Sequence, residues 1–167
     1  MKCKRACANL FRISNIRRFL MKDACNALML GLVIVHLDYA NGLYASLPKS
    51  CINKLQRIQN MAAKVVLCRK KQDSATECLK ALHWLPICVR IKYKICVMVF
   101  KCLNGLAPSY LNTMLHKPHV TRETRSSQDT TKLSIPPTKK RTFADRAFSV
   151  SGPRMWNSLP SSIHTSA

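Results

Sequence analysis

An excess of cations constrains this chain more than any other feature: 28 Lys and Arg stand against 7 Asp and Glu, a formal charge of +21 on 167 residues. Self-repulsion on that scale opposes compaction unless a polyanion neutralises it. Lys and Arg contacts to phosphate supply most sequence-independent affinity for nucleic acid, so nucleic acid is the first partner to weigh and acidic lipid the second. The plainer account is a solvated basic face, which suits a mild excess better than this one. The charge is uneven. Residues 1–71 hold 14 basic and 2 acidic side chains, 72–116 hold 5 and 2, and 117–167 hold 9 and 3.

With 47% apolar residues the chain can bury one ordinary core. Apolar periodicity makes the fold mainly α, with successive helices over 10–115 and a core at 10–116. Residues 117–142 are polar, Pro-containing and poor in apolar side chains, which reads as a poorly ordered linker or extended arm. Over 143–163 aromatics return, and a short helical segment is expected to dock back before Pro160. The run Ala27 to Leu37 is strongly apolar, but eleven residues cannot span ~30 Å of hydrocarbon. Asp38 also spoils a leader cleavage site after Ala40. A buried helix is the reading, with no membrane role.

Two helices carry the charge in stripes. From Ser50 to Lys71, Ile52, Leu55, Ile58, Ala62, Val65 and Val66 gather on one side at 3.6 residues per turn. Arg57, Lys64 and Lys71 recur every seven residues on another side, a geometry able to follow a phosphate backbone. The next long helix is punctuated by Pro86 at its start and Asn104-Gly105 at its end. Ile87, Ile91, Ile95, Met98 and Cys102 form its apolar stripe, whereas Arg90, Lys94 and Lys101 share a basic strip. Tyr93, Met98 and Phe100 lack the spacing of a base-stacking platform and read as core.

Catalytic chemistry is missing from the pattern. Phosphoryl transfer by a polymerase or nuclease needs carboxylates that hold paired divalent cations, and the seven acids are scattered without a doublet. Asp73 and Glu77, four apart, read as decoration of a helix start. Nine cysteines, an odd number without a repeating framework, suggest reduced thiols in an intracellular compartment, with Cys88, Cys96 and Cys102 packed as small hydrophobes. Cys3 with Cys7 and His116 with His119 lack second halves at finger-like spacing, so neither a metal nor any other cofactor is expected. His36 and His83 sit in apolar stretches with no nucleophile or partner acid and read as core histidines.

A series of phrases resembles the region after the polymerase core in LINE-type, jockey-like retrotransposon reverse transcriptases. In order these are Ile16-Arg17-Arg18 with Phe19-Leu20, Leu37-Asp38-Tyr39-Ala40-Asn41, Leu55-Gln56-Arg57-Ile58-Gln59-Asn60-Met61-Ala62-Ala63, and Leu82-His83-Trp84-Leu85-Pro86. They continue with Phe100 to Gly105, Ala107-Pro108-Ser109-Tyr110-Leu111, Arg125-Ser126-Ser127, Asp145 to Val150, and Trp156-Asn157-Ser158-Leu159-Pro160. Each is weak alone; together they cover about residues 13–163. The chain departs from the family at Met21, where a helix-capping Thr is usual, and at His36, Ala40, Ser74 to Glu77 and Ala144.

The resemblance implies a compact helical thumb-like bundle and C-terminal extension downstream of the catalytic palm. Its expected activity is sequence-independent binding of template RNA or an RNA/DNA primer–template duplex. Phosphate contacts would come from Arg57, Lys64, Lys71, Arg90, Lys94 and Lys101, with no catalysis and no small-molecule substrate, in the nucleus or cytoplasm. The contrasting expectation is a decayed retroelement remnant with no biochemical role. Neither expectation specifies an oligomeric state.

Overall fold

The computed structural model describes residues 2–116, 132–138, 144–160 and 162–163, and every regular element among them is helical. The protein is mainly α, as its periodicity requires. The helices are α1 (Lys2–Ile16), α2 (Lys22–Met29), α3 (Val35–Asp38), α4 (Lys49–Val66), α5 (Ala75–Ala81), α6 (Ile87–Leu103), α7 (Ser109–Asn112) and α8 (Phe148–Asn157). No helix among the described residues is long and apolar enough to cross a membrane.

Contacts divide the chain into two units, Met1–Asn41 with Leu47–Arg90, and Gly42–Ser46 with Ile91–Ala167. This division does not follow the composition boundaries at 116 and 142. It falls inside α6, which is apolar around most of its circumference and contributes its first turn to one unit and the remainder to the other.

In the first unit α4 packs on α1, α2 and α5. The core is Ala6, Leu10 and Ile13 of α1, Cys25 and Met29 of α2, and Leu55, Ile58, Ala62, Ala63 and Val66 of α4, with Leu79, Trp84 and Ile87. Helix α1 begins well before residue 10, where the expected core starts. The run Ala27 to Leu37 is not one buried helix: a π turn at Leu30–Ile34 joins α2 to α3. Leu30, Leu32 and Val35 face solvent. An all-apolar run carries no phase, and the extra residue of a π turn rotates the residues after it about the helix axis. Asn9 Nδ2 donates to the Leu32 carbonyl at 2.9 Å.

A polar clamp fixes how α6 starts. Gln59 is fully buried, and its Nε2 donates to the Leu85 carbonyl at 2.8 Å. Gln56 Oε1 accepts the Ile87 N–H at 2.9 Å, satisfying a donor that the first helical turn leaves without an intrahelical partner. Gln56 Nε2 in turn donates to Gln59 Oε1 and Asn60 Oδ1 at 2.9 and 2.8 Å. The phrases Leu55 to Asn60 and Leu82 to Pro86 are thus two halves of one joint.

In the second unit the buried arc of α6 is Ile91, Ile95, Cys96, Val99 and Cys102. Met98 and Tyr93, expected in the core, are exposed, Tyr93 by 60%; a helix apolar most of the way round does not reveal which arc is covered. Cys88 is likewise exposed rather than packed. Helix α8 buries Val150, Pro153 and Trp156. Asn157 at its end holds an irregular segment, with Oδ1 accepting the Leu133 N–H at 2.9 Å and Nδ2 donating to the Leu133 carbonyl at 2.8 Å. Leu133 is buried. Residues 132–138 of the expected arm are chain without regular secondary structure; the rest of 117–142 lies outside the described residues.

Candidate nucleic-acid interface

The end of α4 decides where its basic stripe goes. The helix stops at Val66, and Cys68 adopts a left-handed φ of 52°. This lets the N–H groups of Cys68 and Arg69 bond back to the carbonyls of Val65 and Lys64 at 3.2 and 2.9 Å. The carbonyls of the last turn also draw a cation to the negative end of the helix dipole. Arg17 donates from Nε to the Val65 carbonyl at 2.9 Å, from Nη2 to the Val66 carbonyl at 2.8 Å and from Nη1 to the Leu20 carbonyl at 2.6 Å.

Of the three stripe residues only Arg57 and Lys64 are helical. Lys71 lies in the turn beyond, a correction to the single helix expected over Ser50 to Lys71. The seven-residue spacing continued past the helix end because no Gly or Pro marks it. Lys64 Nζ donates to the Lys71 carbonyl at 2.7 Å, so two of the three meet through backbone after all.

The α6 strip divides in the same way. Arg90 is half-buried in an ion pair with Asp38, Nη1 to Oδ2 at 2.7 Å, and Asp38 also accepts from Asn41 Nδ2 at 3.3 Å. Arg90 thereby ties α3 to the first turn of α6. Lys94 and Lys101 are exposed and belong to the second unit.

Between α1 and α4 lies a groove of about 410 Å³, lined by Cys7, Leu10, Phe11, Ser14, Met61, Lys64, Val65, Arg69 and Lys71. Its floor is apolar and its rim cationic. Phe11 is 67% and Met61 48% exposed, although both are large hydrophobic side chains. Sequence patterning does not single out Phe11 or Arg69. Arg69 had a signal in the basic run 69–71; Phe11 had none, because exposure on an amphipathic helix depends on what packs beside it.

Several acids that would offset the charge are engaged in structure. Asp38 pairs with Arg90, Asp145 pairs with Arg154 at 3.2 Å, and Asp73 accepts the Lys70 N–H at 2.9 Å. Among the described residues no three His, Cys, Asp or Glu side chains gather as a metal site would require. His83 is exposed and His36, in α3, is only half-buried, so neither is a core histidine. No family model, curated protein or solved structure matches the chain.

Proposed function

We propose that this chain is the non-catalytic, post-palm part of a LINE-type retrotransposon reverse transcriptase and binds template RNA or primer–template duplex without regard to sequence. The observation that carries the reading is the charge: 28 cations face 7 acids, and Asp38, Asp73 and Asp145 are engaged in ion pairs and turns. Arg69 and Lys71 are exposed around the end of α4 and Arg57 on the helix itself, while Lys94 and Lys101 are exposed on α6. Such residues neutralise phosphates and release counterions, and nothing beside them resembles a base-reading motif. The intracellular location and the absence of polymerase activity belong to the same proposal.

The test is the salt dependence of binding. Replacing Arg57, Arg69 and Lys71 together by Gln leaves the backbone bonds of the α4 end in place. On duplex, the log–log slope of affinity against salt should shrink by up to ~3, at roughly 0.9 per lost contact. An unchanged slope in the folded variant would reduce these residues to a solvated face. A decayed remnant is the competing reading, favoured by the absence of any side-chain cap at Met21. A cooperative thermal transition accompanied by binding argues against it.

A further inference from the structure

We infer that the α1/α4 groove takes an unpaired base of a single-stranded nucleic-acid segment, stacked over Phe11 and Met61 with its flanking phosphates on Lys64, Arg69 and Lys71. The inference rests on the proposed function and names the form of nucleic acid this part of the surface prefers.

The helix dipole accounts for cations near the end of α4, and Arg17 already caps the Val65 and Val66 carbonyls. It does not account for an exposed aromatic and an exposed thioether meeting in the groove those cations rim. Exposed apolar surface rimmed by charge marks a binding surface. A volume of about 410 Å³ falls at the small-ligand end of such sites. A base offers a flat face suited to Phe11, and stacking of this kind tolerates any sequence.

Charge complementarity selects the occupant. Three cations line one groove, and a strand presents successive phosphates where a lipid headgroup offers a compact anionic cluster. Lys64 keeps donors available for phosphate, since an ammonium has three and the Lys71 carbonyl takes one. A base within a duplex is already stacked on both faces, so only an unpaired one can use Phe11.

The experiment compares the full chain with its Phe11→Ala and Phe11→Trp variants. Fluorescence anisotropy reads affinity for a single-stranded RNA oligonucleotide and for an RNA/DNA duplex of the same length. A 2-aminopurine in the single strand reports stacking, and phosphatidylserine vesicles serve as competitor. Phe11→Ala should weaken single-strand binding roughly five- to a hundred-fold, the range of one lost stacked base, and leave duplex binding unchanged. It should also abolish 2-aminopurine quenching, and Phe11→Trp should restore both. Because Phe11 is largely exposed, the variants keep the core.

Equal loss on both nucleic acids, or no loss on either, overturns the inference. So does vesicle competition that disappears with Phe11→Ala. If duplex binding stays salt-steep while the single strand ignores Phe11, the groove assignment fails and the proposed function stands. If neither nucleic acid binds, both fail.

Discussion

Gln59 shows how much of this fold rests on single polar side chains. It sits among the apolar positions of α4 and would be assigned to the surface by its chemistry, yet it is fully buried and bonded on both sides of its amide. Replacement by Leu preserves bulk but leaves the Leu85 carbonyl without this donor and Gln56 without one acceptor. Leaving a buried polar group unsatisfied costs about 1–3 kcal/mol. Gln59→Leu should lower the urea midpoint by a ΔΔG in that range, and a loss below ~0.5 kcal/mol would show that water replaces the clamp. The phrase around Gln59 stands out in the sequence, but its role does not, because the partners of the two glutamines lie 26 and 31 residues away.

Helix ends show the same contrast at the level of elements. Helices α4, α5 and α6 close with one geometry, a left-handed residue followed by a backward bond. It uses Cys68, His83 and Gly105 at φ 52°, 54° and 68°. After α5 the Trp84 N–H reaches the Leu79 carbonyl at 2.9 Å, and after α6 the Leu106 N–H reaches Lys101 at 2.8 Å. Only α6 has a glycine there, which is why its end was legible and that of α4 was not. A side chain at such a φ costs about 1–2 kcal/mol relative to the right-handed region. Met21 occupies the N-cap of α2 in extended conformation with no side-chain bond, the position where the family resemblance expects Thr. His83→Gly and Met21→Thr should therefore each stabilise by about 0.5–1 kcal/mol. Calorimetry should show additive increases in Tm, and a lower Tm for either variant would contradict its assigned cap.

Taken whole, the molecule sets a large positive charge against cores containing thiols. Burial pushes the Cys25, Cys96 and Cys102 thiols above their ordinary value of 9.0; Arg17 partly offsets this at Cys25, with Cys68 raising it slightly, and Lys92 offsets it at Cys96. Raised values mean that the folded state holds its protons where the unfolded chain has lost them. Stability from these groups is then fully present below the unfolded pKa and is lost as pH rises beyond it toward the folded values. Urea midpoints should be flat to about pH 8 and fall toward pH 10, before lysine titration dominates. A variant with Ala at all three positions should flatten that fall, and an unaltered fall would assign it to other groups.

The sequence by itself determines the helical class, the boundaries of α6 and the cationic excess, because each depends on periodicity, on Pro86 and Gly105, or on simple counting. Tertiary structure alone decides which cations remain available. Arg90 is drawn to Asp38, 52 residues away, and Arg17 to carbonyls 48 and 49 residues away, while Arg69 is left exposed at the rim. It also decides that Phe11 faces a groove and Gln59 a core. A side chain's environment is set by neighbours distant in sequence, and no local pattern around these residues records them.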